Sequence, residues 1–350
     1  MKLTAANLDS PAKLGALTLR TWQTPHHLRE INRRLVQVAT GKIDRLTVAV
    51  PPRHGKSILI SQFFPAWFLL VYPWKRVILC SYEADFAAQW GRKVRDVVTQ
   101  WGDLFGVSVA ADSKAADRWE IAGHGGGMQT AGVGGPVLGK GADLLILDDL
   151  TKNAEQALSA SYRAKTWDWL TSTAFTRLEP GGRVLNVQQR WHTKDVMGML
   201  LENEAERWHS LTIPAIAEAN DPLGRSPGQE LWPERYSIKE LESKRKLAPI
   251  WFAAQYQQKP IDLEGGFFRG LERIQIVDAT PTADQFVRRC RFWDLASSEA
   301  QAGTDPDYTA GVLMGKHKDG TFWVLDVIRQ RLGPAGVRNL IRQTAEARSE

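Results

Sequence analysis

The segment PPRHGKS (51–57) carries residue types able to grip a polyphosphate. Gly55 removes the Cβ where a backbone must approach a phosphate closely. Lys56 offers a point charge to β- and γ-phosphates, and Ser57 offers a hydroxyl ligand to Mg2+. A helix starting here points its N-terminus at the anion. The full phosphate-loop pattern asks for glycine at position 50, where this chain has Val50. The bare tripeptide GKS is common by chance. The strand LTVAV before it and the apolar helix after it supply the context of an ATP-binding loop, to which Arg53 and His54 also belong.

A second acidic motif lies downstream. LLILDD is an apolar strand ending in Asp148 and Asp149. In phosphoryl transfer, the first carboxylate would hold Mg2+ and the second would orient or deprotonate the attacking water. Glu155 is a further candidate for that base. Between the two motifs, residues 123–141 are rich in glycine. Glycine costs chain entropy and fills no core, so a flexible loop facing the active site or DNA is expected, with Lys140 near its end.

These motifs need elements to hold them. LTVAV (46–50), RVILCS (76–81), LLILDD (144–149) and RVLNVQQ (183–189) are short aliphatic runs with helical or Gly-rich sequence between them. Near-continuous apolar strands alternating with helices predict a parallel sheet covered on both faces, a doubly wound α/β domain. The stretch ILISQFFPAWFLLVYPW (58–74) is nearly long enough to span a membrane. Gln62 and Pro65 interrupt it, so it is read as a buried helix, and no membrane is implied.

Residues 218–235, rich in Pro, Gly and charge, read as an exposed loop or linker. Ser237 and Glu240 then fit a helix capping box, and Pro249 divides the helical stretch that follows. RCRFWDLA (289–296), DYTAGVLMG (307–315) and TFWVLDVIR (321–329) read as three strands, with KHKDG as the turn between the last two, and a helix ends the chain. The expected division is 1–217, 218–284 and 285–350. The net charge of +6 permits an anionic partner such as DNA without requiring one. Cys80 and Cys290 lack metal or redox spacing and are read as buried small hydrophobes. The N-terminus has no apolar signal region.

Taken in order, PPRHGKS, GKGADLLILDD and QQRWHTKD resemble the ATPase domain of phage terminase large subunits. FAAQYQQKP, FWDLASSE and DYTAG resemble the same family, whose second domain is a nuclease. The resemblance runs from about Trp22 to the end. It implies a P-loop NTPase of the ASCE type followed by part of an RNase H-like α/β nuclease domain. By resemblance, Trp22 and Gln23 recognise adenine and Arg53 senses the γ-phosphate. Lys140 stands where a finger reaches a neighbouring subunit. Gln188, Gln189 and Arg190 couple hydrolysis to movement. In the nuclease, Asp294 and Asp307 are the candidate ligands for Mg2+ or Mn2+, while Asp326 is read as structural. The remaining metal carboxylates of the family fall on later elements, so the nuclease is expected to be incomplete within these 350 residues.

The implied activity is ATP-driven packaging of double-stranded DNA in the cytoplasm of a bacterial host. The implied partners are a portal protein, a small terminase subunit and ring neighbours of the same kind. Two rival readings stay open. One is a helicase-like DNA translocase, but the residues after 260 do not read as a second ATPase lobe. The other is an inactive prophage remnant that only binds DNA, suggested by Val50, Asp149 and Gln189.

Overall fold

The structure is a computed structural model, described here for residues 4–137, 139, 141–261, 274–296 and 307–347, apart from the Lys114 side chain. The chain divides into two compact units, Met1–Phe267 and Phe268–Glu350.

The first unit is built on an eight-stranded sheet in the order β3-β4-β5-β2-β6-β7-β1-β8. The strands are β1 (Arg45–Ala49), β2 (Arg76–Ser81), β3 (Val109–Lys114), β4 (Arg118–Ile121), β5 (Gly127–Gly132), β6 (Ala142–Asp148), β7 (Leu178–Gln188) and β8 (His209–Thr212). From β5 to β8 across the sheet every pairing is parallel; β4 and β3 add an antiparallel edge. A strand, β7, separates β1 from β6, as an ASCE-type arrangement requires.

The apolar runs are continuous because both faces are buried. Val77, Leu79, Leu144 and Ile146 join one core cluster, while Ile78, Cys80, Leu145 and Leu147 join another. That is the period of two expected of strands. The first cluster packs under α1 (Pro11–Thr18), α2 (His26–Ala39), α3 (Phe64–Val71) and α4 (Ala84–Trp101). The second lies with α6 (Ala160–Trp169), which the short α5 (Ala154–Leu158) precedes, and with α7 (Val196–Glu204). Phe63, Phe64 and Phe68 are fully buried, and such side chains each stabilise the fold by roughly 2–3 kcal/mol. The apolar stretch is therefore a core helix, and among the described residues no helix is long and apolar enough to cross a membrane.

Part of the glycine-rich segment forms a strand rather than the expected flexible loop. Gly127–Gly132 is β5, a buried strand between β2 and β4. Close backbone packing explains its composition. A Cβ at Gly126 would stand 2.1 Å from the Pro73 carbonyl oxygen, and one at Gly127 would stand 2.3 Å from that of Trp119. Lys140 lies outside the described residues.

Residues 218–261 belong to the first unit; 218–235 run as a largely exposed loop that buries Leu231 and Trp232. Ile216 bridges Glu230, and Asp221 and Arg225 form a buried ion pair at 2.6 Å. The predicted capping box is present at the start of α8 (Ile238–Leu247), and α9 (Pro249–Trp251) begins at the predicted proline.

In the second unit, β9 (Phe286–Asp294), β10 (Thr309–His317) and β11 (Phe322–Gln330) form an antiparallel sheet in the order β11-β10-β9. Gly320, at a φ of 92°, completes the predicted turn. Helix α10 (Pro334–Glu346) follows. Cys290 is exposed on β9, contrary to expectation, because the pleat turns it onto an uncovered face; Cys80 is buried.

Candidate nucleotide site

The phosphate loop leaves the carboxyl end of β1, where ligands gather in open α/β sheets. Val50 is fully buried in the core, so the missing glycine lies outside the turn itself. Arg53 and Gly55 take left-handed backbone angles, with φ of 65° and 82°. Only glycine adopts these without strain; Arg53 carries a cost on the order of 1 kcal/mol, the kind of strain concentrated at functional sites. A wide helical turn, Ile58–Phe63, follows Ser57 directly.

Lys56 is 5% exposed, and its Nζ lies 3.6 Å from Asp149 Oδ2. Asp148 is buried at the end of β6 and faces the hydroxyls of Ser57 and Ser61. Burial, reinforced by the neighbouring Asp149 charge, raises its pKa to about 7 against the pull of Lys56. Its Oδ1 has no hydrogen-bond partner, and the same holds for Ser61 Oγ, Ser81 Oγ and Gln188 Nε2. Buried polar atoms are rarely left orphaned. A carboxylate oxygen so placed, with a serine hydroxyl beside it, fits a hard divalent cation.

Asp149 sits just past the strand with a φ of 44°. Its amide donates to the Val187 carbonyl at 3.0 Å, and its Oδ1 accepts from the Gln189 amide at 2.8 Å. The residue thus links the phosphate loop to the end of β7. There, Arg190 Nε donates to both Asp195 oxygens at 3.1 and 2.9 Å. Asp195 also caps α7 through the Gly198 amide and accepts from the Trp191 amide. The Trp191 ring meets Trp251 of α9 edge-on, with centroids 5.6 Å apart. His192 is buried, and its Nδ1 accepts from the Lys194 amide.

Trp22 is half-buried. Its Nε1 donates to Thr24 Oγ1 at 3.0 Å, and its ring packs edge-on against Phe63 at 5.2 Å; Gln23 is exposed. Glu155 is exposed in the first turn of α5.

Sequence reasoning missed an aromatic cluster behind the loop. The His27 ring nitrogen Nε2 lies 2.8 Å from the His54 carbonyl oxygen, and His54 Nδ1 lies 2.9 Å from that of Pro52. Carbonyls only accept, so each of these nitrogens carries the proton. Trp232, from the segment expected to be exposed, and Tyr236, just after it, pack against the imidazoles at 5.5 Å and 5.2 Å. Burial pushes both histidines down to about 4. The adjacent pair His26-His27 was the only hint in the sequence.

In the second unit, Asp294 ends β9 opposite Ala310, and Asp307 lies exposed before β10. Asp326 pairs with Arg291. Arg291 is three residues from Asp294 on β9, so these side chains occupy opposite faces of the sheet. Among the described residues, no group of three His, Cys, Asp or Glu side chains could hold a metal. The described residues of this unit therefore do not assemble a two-metal site.

The family profile described as terminase large subunit, T4likevirus-type, N-terminal matches residues 48–274. This chain belongs to the terminase large subunit family. No curated protein matches it. Among solved structures it is similar to the large terminase of bacteriophage HK97, at 12% identity and a TM-score of 0.46 over 85% of this chain. It spans 61% of that protein. It is also similar to the large terminase of a thermophilic bacteriophage in complex with ADP, at 12% identity and a TM-score of 0.39, covering 90% of this chain and 74% of that one.

Proposed function

We propose that this chain is an ATP-driven motor that moves double-stranded DNA into a viral procapsid. The observation that carries the reading is the convergence of Lys56, Ser57, Asp148 and Asp149 at the carboxyl ends of β1 and β6. Family membership supplies the direction of the work.

The triphosphate of ATP enters the turn formed by Arg53, His54, Gly55 and Lys56, in front of the helix that follows. Lys56 then exchanges its Asp149 partner for phosphate oxygens. Ser57 and Asp148 would hold Mg2+, which when bound neutralises charge on the phosphates. Asp149, released from Lys56, accepts a hydrogen bond from the attacking water and orients it. Its second oxygen remains on the Gln189 amide, so movement of Asp149 bears on the end of β7. Gln188, Gln189 and Arg190 occupy that end, and Trp191 carries the displacement to Trp251. Trp22 and Gln23 lie in the segment before α2 and are assigned to adenine, Arg53 to the γ-phosphate.

The second unit is read as the first strands of an RNase H-like endonuclease domain, with Asp294 as one metal ligand and Asp307 as a weaker candidate. A portal protein, a small terminase subunit and neighbouring copies are the partners this reading brings. Lys140 is the residue offered to a neighbour, and the setting is the cytoplasm of an infected bacterium.

Displacement of a triplex-forming oligonucleotide from duplex DNA tests the motor. ATP-dependent displacement without strand separation is expected. Unwinding of a forked duplex instead would move the assignment to a helicase.

A further inference from the structure

Two serines from different elements meet the Asp148 carboxylate inside the first unit. Cys80 of β2 lies opposite Leu147 of β6. The next row therefore sets Ser81 beside Asp148, on strands about 5 Å apart. Side chains alternate with a period of two. Both residues thus point the way Leu79 and Ile146 point, into the core layer that also holds Leu59, Ile60 and Phe63. That layer brings the second serine. Ser57 and Ser61 lie one helical turn apart, where side chains share a face, and both turn their hydroxyls toward Asp148.

Ser61 and Ser81 are fully buried, and Asp148 is 1% exposed. Ser61 Oγ, Ser81 Oγ and Asp148 Oδ1 all lack a hydrogen-bond partner. A buried hydroxyl without a partner destabilises a fold. Among neighbours as apolar as Leu79 and Ile146, alanine would remove that cost. The two hydroxyls therefore work against the stability of the nucleotide-free protein. Their chemistry suits a different task. A hydroxyl donates one hydrogen bond and accepts others, so it can hold a carboxylate oxygen and a water at once. A small divalent cation bound by one carboxylate and by phosphates keeps several waters. Groups that hydrogen-bond to its carboxylate fix that ligand's orientation.

We propose that Ser61 and Ser81 are positioning residues that orient the Asp148 carboxylate, and the water around it, for a divalent cation. The inference rests on the nucleotide site proposed above and adds two residues to it. Ser81 brings in the end of β2, a strand with no other role in that site.

The test titrates Mn2+ into the full chain at saturating ADP and reads free Mn2+ by electron paramagnetic resonance. Ser61→Ala and Ser81→Ala should each weaken Mn2+ binding by roughly tenfold or more. Ser61→Thr and Ser81→Thr keep the hydroxyl and should recover most of that loss. The control is Thr47→Val, which removes a buried, unpartnered hydroxyl from the middle of β1, on the opposite face of the sheet from Leu46 and Val48. It should leave Mn2+ affinity unchanged. Urea midpoints in EDTA without nucleotide supply a second readout, and both alanine variants should match or exceed wild type. Wild-type Mn2+ affinity in both alanine variants, or an equal loss in Thr47→Val, overturns the proposal. A lowered urea midpoint in both alanine variants makes the hydroxyls structural and overturns it as well. The Asp148→Asn variant separates this claim from the site it rests on. Mn2+ binding lost in Asp148→Asn beside unaffected serine variants leaves the nucleotide site standing. A wild-type chain that gains no Mn2+ affinity from ADP removes both.

Discussion

Asp149 touches Lys56 of the phosphate loop, Nζ to Oδ2 at 3.6 Å, while its other oxygen holds the Gln189 amide at 2.8 Å. One carboxylate therefore joins the strand ends β6 and β7 to the loop after β1. Asp149→Asn keeps an oxygen for the Gln189 amide and removes the charge. It should lower ATP turnover by roughly 10²-fold or more, the usual range for a lost general base, with nucleotide affinity little changed. Turnover near wild type would remove Asp149 from the chemistry.

Trp191 and Trp251 meet edge-on at the far end of the same connection. Trp251→Ala should cost about 1 kcal/mol or more in stability, since it removes the pair and part of the packing. Hydrolysis should persist while triplex displacement falls. Equal loss of both activities would mean the contact is only structural.

Asp148 is a buried carboxyl whose pKa burial raises to about 7. A folded pKa above the unfolded one means the folded state binds more protons between the two values, so its ionisation costs stability as pH rises through that window. Asp148→Asn should therefore make the nucleotide-free protein more stable at pH 8, by on the order of 1 kcal/mol or more. The gain should vanish near pH 4, and the variant should not hydrolyse ATP. Denaturant melts at both pH values check this; a variant less stable at pH 8 would contradict it.

His27 and His54 shift the other way. Both are held near 4 by burial, with Arg225, Arg235, Lys56 and His26 as the cations around them. Unfolded histidine takes up its proton near pH 6.5, so stability should be full above that pH and fall toward pH 4. The loss between pH 7 and 5 should be roughly 2 kcal/mol per imidazole. Replacing His54 with Gln should flatten this dependence by about half, read as urea midpoints against pH.

The parts of the site legible in the sequence were those fixed by local chemistry. β1, β2, β6 and β7 are buried on both faces, so their apolar runs stood out. Gly55, Lys56, Ser57 and Asp148 sit on strand ends that those runs define. β5 was illegible because Gly127 at its start and Gly126 before it answer to the carbonyls of Trp119 on the paired strand β4 and of Pro73 in a remoter loop, contacts that only strand pairing creates. The packing of Trp232 on His27 was hidden for the same reason: it depends on a tertiary contact across some two hundred residues of chain. The Asp149 tether to Gln189 is likewise a product of the β6–β7 pairing.

Phosphate release from ATP by the purified chain, compared with Lys56→Ala and Asp148→Asn, asks whether loop and strand end form one site. A single site predicts hydrolysis that duplex DNA stimulates and that both substitutions abolish while the proteins stay folded. Hydrolysis that survives in both variants would place the chemistry elsewhere and contradict it.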